Sequence, residues 1–221
     1  MKRLFLFFII LLLGGAGFVL VKQRELTKQS DAAYDQAEAH VAQEIGRGTT
    51  SIDLREFPQL ADLPGNLNEV ENLQRLNING TRIADLTDLS RHTQLEDLVM
   101  RDTFVVDLTP LAGLAKLKSV DMGGSWVSDL SPLAQLPSLE RLDIGDTQID
   151  TLAPVGEIAQ LNWLNLYQAY ALDGSREHYQ SLLQSVPEVF NGRAFETGYV
   201  PGPRYLWQVK MRRLSEKHLG Q

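Results

Sequence analysis

The chain contains no cysteine among its 221 residues. This absence excludes disulfides, thiolate metal sites, cysteine nucleophiles and lipid attachment through a cysteine. It does not indicate a compartment, because a chain without cysteine fits the cytosol and the periplasm equally. No other residue pattern indicates a metal or an organic cofactor, so the sequence predicts none.

Positive charge is also scarce. The chain has 21 lysines and arginines against 28 aspartates and glutamates, which gives a formal net charge of −7. Affinity for nucleic acid comes mainly from clustered lysine and arginine side chains that contact phosphates. The charge balance therefore argues against a nucleic-acid partner.

Catalytic motifs are absent as well. The chain has no HExxH motif, no glycine-rich phosphate loop and no GxSxG motif, and four separate segments carry its histidines, which are His40, His92, His178 and His218. An enzyme needs a nucleophile, a paired acid and base, or a metal site. The sequence therefore predicts a protein that is not an enzyme, with no catalytic residues.

The amino terminus carries an uncharged run, residues 4–21, between Lys2-Arg3 and Lys22. As a helix this run would span about 27 Å, close to the roughly 30 Å hydrocarbon core of a bilayer. We predict that residues 1–27 are a membrane anchor, with the folded domain on the periplasmic or extracytoplasmic side. The alternative is a signal peptide that is cleaved near Gly17, which would give a secreted protein.

Residues 28–50 form the next predicted segment, a capping helix for the fold that follows. Ser30 is a suitable N-cap and Gly46 a suitable end. The helix spacing gives one apolar face, made of Tyr34, Ala37, Val41 and Ile45. The alternative is a partner-binding or coiled-coil stalk, but this face is short and rich in alanine.

A 22-residue repeat dominates the rest of the chain. Leucine recurs at Leu73, Leu95, Leu117, Leu139 and Leu161. A second apolar column follows three residues later, at Leu76, Leu98, Val120, Leu142 and Leu164. A third lies two residues beyond it, at Ile78, Met100, Met122, Ile144 and Leu166. A hydroxyl column then comes at Thr81, Thr103, Ser125 and Thr147, with Ala169 in the last repeat. A period kept in several columns predicts a repeat array.

The columns predict how each repeat folds. Apolar and polar residues alternate with period two in 120–122 and 142–144, which is typical of a short strand with one buried face. One such strand cannot bury that face alone, so the repeats must stack into a parallel sheet over one continuous core. Each hydroxyl in the fourth column is placed to bond the backbone of its own turn or of the neighbouring coil.

The outer side of each repeat is predicted to be a short helical turn. Thr109-Pro110 and Ser131-Pro132 each combine a hydroxyl N-cap with proline at the first helical position. An aspartate precedes each turn, at Asp85, Asp107 and Asp129. Calcium ligation is one interpretation of these aspartates. Turn and cap chemistry is the favoured one, because no second column of carboxylates converges on them.

These residues resemble the leucine-rich-repeat family, and specifically the short bacterial 22-residue class typified by internalins. The segments 117–122, 127–133 and 139–144 carry the resemblance. It implies an α/β fold: a right-handed solenoid with a parallel sheet on the concave face, short 3-10 or helical turns on the convex face, and helical caps. The array is assigned to residues 51–171, as a degenerate first coil followed by five repeats from Leu73. Two departures stand out, since the turn carries Thr or Ser instead of asparagine and no LPxTG-like signal is present.

The resemblance also implies that the concave face binds an unidentified protein or another large ligand. Residues between the inward leucines point to that face. The glycines at 123, 124 and 145 are predicted to leave room for a ligand at its centre. The predicted binding patch consists of Arg101, Phe104, Asp121, Trp126, Asp143, Trp163, Tyr167 and Tyr170.

Two other functions stay open at this point. The chain could be a structural or scaffolding envelope protein without a dedicated ligand, with its aromatics only covering the rim of the solenoid. A remote alternative is a hydrolase that uses Asp121 and Asp143, which would stand about 5 Å apart in adjacent strands.

The repeat period stops at Leu172, and residues 172–221 are assigned to a carboxy-terminal cap. Residues 177–186 are predicted to be helical. A second amphipathic helix is predicted from the spacing of Trp207, Met211, Leu214 and His218. Its basic residues leave a membrane-surface helix as the alternative.

Overall fold

The structure is a computed structural model that describes residues 16–171 and 176–190. It contains two α-helices, α1 (Ala16–Gly46) and α2 (Arg176–Ser185). The strands are β1 (Ser51–Asp53), β2 (Arg75–Asn77), β3 (Asp97–Val99), β4 (Ser119–Asp121), β5 (Arg141–Asp143), β6 (Gln148–Ile149), β7 (Trp163–Asn165), β8 (Tyr170–Ala171) and β9 (Glu188–Phe190). Five 3-10 turns lie between them, at Gly65–Glu69, Thr87–Arg91, Thr109–Leu111, Ser131–Leu133 and Ala153–Glu157.

Seven strands form one parallel sheet in the order β1-β2-β3-β4-β5-β7-β9. Within the repeats the register follows the sequence period, so that Leu76 pairs with Leu98 and Leu142 with Leu164. The side chains of these paired residues are all at most 1% exposed. The predicted leucine-rich-repeat solenoid is therefore confirmed, since one strand per period stacks on the next and a single core runs through all coils.

The convex side carries the predicted short turns, but their caps differ from the prediction. Thr109 and Ser131 do not cap with their hydroxyls. Their backbone N–H groups instead donate to the carboxylates of Asp107 and Asp129, at 2.8 Å in each case. The N–H of Thr87 does the same to Asp85 at 2.8 Å. An aspartate two residues upstream is placed to accept this N–H, which the hydroxyl of the same residue cannot reach.

The hydrogen bonds of these aspartates favour turn and cap chemistry over the calcium ligation that the sequence left open. Asp85, Asp107 and Asp129 each use an oxygen on the next turn of their own coil. No group of three or more His, Asp or Glu side chains that could hold a metal ion occurs within 16–171 and 176–190. The column therefore serves the turns.

The hydroxyl column behaves as predicted in three of its coils. Thr81 and Thr103 donate to the backbone carbonyls of Ile78 and Met100, at 2.7 and 2.8 Å. Thr147 makes the same contact with the carbonyl of Ile144. The Oγ of Ser125 is buried and has no hydrogen-bond partner in the described part of the chain.

The sequence analysis missed a turn column, which lies one residue before the hydroxyl column and its last member, Ala169. Its five members all have positive φ, at Gly80, Asp102, Gly124, Asp146 and Gln168. The chain turns out of the sheet there in the left-handed conformation, which glycine adopts freely and aspartate tolerates. Glycine and aspartate at a 22-residue spacing were the available sequence signal.

Helix α1 covers the first coil. Ala37 and Val41 are fully buried, and the side chain of Tyr34 packs against the core. The Tyr34 hydroxyl accepts a hydrogen bond from the N–H of Gly65 at 2.9 Å. The helix ends at Gly46 as predicted and already includes Ala16, so Ser30 lies inside it and is not its N-cap.

The last coil is irregular. Trp163 in β7 pairs with Glu188 in β9, a separation longer than the 22-residue period. Helix α2 takes the place of the 3-10 turn, and it buries Tyr179 and Leu182 against the last periodic coil. The sheet thus extends beyond residue 171, where the predicted array stops. The helix predicted around Trp207 lies outside the described residues.

The predicted membrane segment falls mostly outside the described residues. The structure describes only its last six positions, 16–21, which belong to the amino-terminal end of α1. Neither α1 nor α2, as far as they are described, has an apolar stretch long enough to cross a bilayer.

Candidate functional site

The candidate site lies on the concave face, by which we mean the face of the seven-stranded sheet that points away from the core. On each central strand the middle residue is buried and the flanking residues point to this face, as in Ser119–Asp121 and Trp163–Asn165. The structure places Arg101, Asp121, Asp143, Trp163 and Tyr167 on this surface. Asp121, Asp143 and Trp163 belong to the strands β4, β5 and β7, and Arg101 and Tyr167 lie in the turns after β3 and β7.

Arg101 is the centre of a polar network on this face. Its Nη1 donates to Oδ1 of Asp121 at 3.0 Å and to Oδ2 of Asp143 at 3.1 Å. The two carboxylates belong to adjacent strands, β4 and β5, and are paired in register. One guanidinium therefore bridges two carboxylates that would otherwise repel each other across the sheet.

Asp143 is the most tightly held member of the network. It is only 8% exposed, and it also accepts hydrogen bonds from the N–H of Gly145 at 2.9 Å and from Nδ2 of Asn165 at 3.0 Å. A buried carboxylate is tolerated because several donors replace its lost water. We call Arg101, Asp121, Asp143 and Asn165 the concave network.

Asp121 is in a different position from its neighbour. Burial and the negative charge of Asp143 raise its pKa, although the Gly123 N–H and Arg101 act in the opposite direction. When side chains alone are compared, that of Asp121 is 27% exposed and that of Asp143 is 11% exposed. Asp121 is therefore the carboxylate of the pair that a partner can reach.

The glycines of the concave face do not leave the room that the sequence predicted. A Cβ at Gly123 would lie 2.7 Å from the Arg101 guanidinium, and one at Gly145 would lie 3.1 Å from Oδ1 of Asp143. The space is taken by the concave network. Gly124 instead meets a turn requirement, with φ of +70°. These glycines thus allow arginine and aspartate side chains to lie flat on the sheet.

Phe104 and Trp126 lie on the adjoining side of the coils, where the chain leaves the sheet. Their ring centroids are 6.2 Å apart, with the planes tilted by 35°. Both side chains are half-buried, and Val106, two residues after Phe104, is 55% exposed. The predicted pair is thus brought together, with an exposed aliphatic neighbour that the sequence analysis did not include.

Trp163 is surrounded by residues that were not part of the predicted patch. The Arg141 guanidinium lies 4.4 Å from the centre of the Trp163 ring. Phe190, from β9, lies on the other neighbouring strand, with a centroid distance of 5.6 Å. The register signal could have found Arg141, which precedes Trp163 by one period. Phe190 lies beyond the periodic region and left no such signal.

The remaining aromatics of the patch are separated from this group. Tyr167 is 51% exposed and lies four residues after Trp163. Tyr170 belongs to the small sheet on the side of the coils, where its backbone pairs with Gln148 in β6. The structure thus does not place all eight predicted residues on one surface. Phe104, Trp126 and Tyr170 lie in the column at the side of the coils, and the other five lie on the concave face.

The geometry described so far defines a leucine-rich-repeat solenoid with a polar centre and an aromatic end on its exposed sheet. Two solved structures of Listeria monocytogenes str. 4b F2365 are similar to it. The internalin inlF matches 62% of this chain and 42% of its own at 24% identity, with a TM-score of 0.47. Internalin C2 matches 64% of this chain and 76% of its own at 22% identity, with a TM-score of 0.46.

These two proteins are of the kind that the sequence resemblance named. The chain spans less than half the length of the first internalin. No protein-family model matches the chain, and no curated protein matches it either.

Proposed function

We propose that the chain is a non-catalytic binding module whose concave face contacts a protein or another large ligand. The observation that carries the proposal is the concave network. Arg101 is fixed over Gly123 by two carboxylates, so its orientation is set before any partner arrives. Side chains that are already ordered lose less entropy on binding, which favours recognition.

The aromatic residues beside the network support the same proposal. Phe104, Trp126 and Trp163 are half-buried and Tyr167 is exposed. Aromatic residues and arginine are enriched among the residues that contribute most to interface energy. The concave face presents Arg101 with Trp163 and Tyr167, and the adjoining side of the coils adds Phe104 and Trp126.

The two alternative functions fit the geometry less well. A passive scaffold does not require an arginine held in place on a solvent-facing sheet. A hydrolase would need the space between Asp121 and Asp143 for a substrate or a water molecule. The Arg101 guanidinium donates to both carboxylates from that space.

The place of the module in the cell is part of the proposal. The apolar run of residues 4–21 and its flanking basic residues support attachment to the membrane, with the solenoid on the extracytoplasmic side. The alternative remains secretion after cleavage near Gly17. Protease added to intact cells should remove the solenoid if it is outside, and amino-terminal sequencing of the mature chain should begin at Met1 if the anchor is kept.

The binding proposal can be tested by site-specific photo-crosslinking of the full-length chain in its own cells. A crosslinking residue at Ser119, on the concave face, should capture a distinct partner. The same residue at Ser90, exposed on a convex turn, is the matched control and should capture none. Equal capture from both positions, or none from Ser119 in a folded protein, would contradict the proposal.

The aromatic part of the patch has its own test. Replacing Phe104 and Trp126 together with serine should abolish the crosslink from Ser119 while the thermal unfolding transition remains cooperative. A variant that unfolds, while its folded fraction still binds the partner, would show that the pair only covers the core.

A further inference from the structure

The aromatic end of the concave face contains an arginine in an unusual environment. Arg141, Trp163 and Phe190 come from three neighbouring strands, β5, β7 and β9: the Arg141 guanidinium lies over the Trp163 ring, and the Phe190 ring contacts Trp163 at a tilt of 41°. We call Arg141 and Trp163 the Arg–Trp stack. A guanidinium over an indole ring is attracted by the ring's negative face. The indole therefore favours a position of the guanidinium over its face.

Arg141 differs from the other ordered arginines of this face in what holds it. Arg101 is bound by Asp121 and Asp143, and Arg55 by Asp53 at 2.6 Å. Within residues 16–171 and 176–190, Arg141 makes no ion pair and no side-chain hydrogen bond. Stacking uses the face of a guanidinium and leaves the N–H groups on its edge available. Arg141 is thus packed on the indole, and the N–H groups of its guanidinium have no acceptor among the described residues.

We propose that the Arg–Trp stack is the docking point for a carboxylate that a protein partner carries next to an aromatic side chain. This inference rests on the proposed binding function and names the partner chemistry at one point of it. A carboxylate matches the fork of a guanidinium and can accept two N–H bonds from its edge. The aromatic neighbour would contact Phe190, which is 43% exposed.

The surrounding charges favour a single carboxylate over a polyanion. Asp143 lies two residues from Arg141 on the same strand face, and Glu188 pairs with Trp163 in the sheet. The whole chain carries a net charge of −7, so a nucleic acid or another polyanion would be repelled at long range. A single carboxylate can reach the Arg141 guanidinium without placing further negative charges beside Asp143 and Glu188.

A pair of peptides tests the proposal directly. Acetyl-Phe-Glu-amide and acetyl-Phe-Gln-amide have the same shape and differ in one charge. Each is titrated into the isotopically labelled full-length chain, and NMR follows the Nε–H signal of Arg141 and the indole N–H signal of Trp163. We expect both signals to shift with the glutamate peptide, and the glutamine peptide to bind about fivefold more weakly.

Two variants separate the stack from general electrostatics. Arg141→Gln should remove the preference for the glutamate peptide. Arg75→Gln is the matched control, because Arg75 is exposed in the same column of the sheet and forms no aromatic stack among the described residues. It should leave the preference unchanged. Backbone NMR spectra establish that both variants remain folded.

The inference would be overturned by equal affinity for the two peptides, by the absence of a shift at Trp163, or by the same loss of preference in Arg75→Gln. Any of these results would leave the crosslink from Ser119 unaffected. If that crosslink were absent while the peptides bound as expected, carboxylate binding by the Arg–Trp stack would be supported. The proposed binding function of the concave face would then be contradicted.

Discussion

The inward and outward residues of the same strands follow different rules. The inward position is aliphatic in every strand of the large sheet from Ile52 to Leu164, and these side chains are at most 1% exposed. The outward position beside it changes from asparagine to valine to aspartate along the sheet, as in Asn77, Val99 and Asp121. The core therefore fixes the spacing of the coils, and the outer face is free to vary. Specificity in such a protein belongs to the face that the fold does not constrain.

The largest expected effect tests this division at one strand. Leu142→Ala removes a fully buried side chain from the inward column, and such a cavity costs about 2–5 kcal/mol. Chemical denaturation monitored by circular dichroism measures the loss of unfolding free energy. Since each coil relies on its neighbours, we also expect a less cooperative transition.

The matched outward change is Ser119→Ala, in the strand next to Leu142. Ser119 is half-exposed on the concave face, so its replacement should alter the unfolding free energy by less than about 0.5 kcal/mol. Similar losses in both variants would contradict the division between the two faces.

His92 is an exception inside the core and gives the next prediction. The positions that correspond to His92 at the 22-residue period are aliphatic, at Val70, Leu114, Leu136 and Ile158, and all are buried. His92 is 6% exposed, and its Nε2 has no hydrogen-bond partner among the described residues. His92→Leu should therefore stabilise the protein by about 1 kcal/mol at neutral pH.

The substitution His92→Leu should also change how the unfolding free energy depends on pH. Burial, with a smaller contribution from Arg91, lowers the pKa of His92 below its ordinary value, while Asp88 acts in the opposite direction. Below the unfolded pKa of about 6.5 the unfolded chain binds the proton more readily. The native protein should thus lose stability as the pH falls from there towards the folded pKa, and His92→Leu should lose less.

Thermal unfolding of both proteins across this pH range isolates residue 92, since their other titratable groups are identical. Parallel pH profiles would contradict the prediction. They would mean that the imidazole reaches a partner or water in solution.

The smallest expected effect concerns the turn column at the end of each strand. Gln168 has a φ of +53°, where a side chain is unfavourable, so Gln168→Gly should raise the unfolding free energy by about 0.5 kcal/mol. Gly124→Ala, at the same position two coils earlier, should lower it by about 1 kcal/mol or more, because the Cβ is unfavourable at this φ and would also clash with the carboxylate of Asp102. A denaturant midpoint that moves the same way in both variants would show that φ does not decide these positions.

The sequence predicted the solenoid well because its signal is local and repeated. The strand around Leu98 needs only alternation and a period of 22 residues, and both are visible in the letters. The predicted site was less complete, because its contacts depend on where side chains meet. Arg101 contacts Asp121 and Asp143, which lie 20 and 42 residues further along the chain. The 22-residue period does not predict that these three side chains form one network.

The cap of the convex turns teaches the same lesson at short range. A hydroxyl before proline, as in Thr109-Pro110, is a good helix-start signal. In the structure the backbone N–H of Thr109 is nevertheless bound by Asp107. The hydroxyl of Thr109 cannot reach the N–H of its own residue. Only the path of the chain placed the carboxylate of Asp107 where it accepts that N–H.

The sequence by itself determined the period, the inward columns and hence the stacked parallel sheet. One short strand cannot bury its leucines alone, so strands that repeat every 22 residues must stack to share a core. Only the tertiary structure decided that Gly123 leaves the space in which the Arg101 guanidinium lies. It also decided that Trp163 lies between Arg141 and Phe190. Those contacts join residues from different coils. Their geometry depends on the exact path of each turn, which hydrophobic periodicity does not encode.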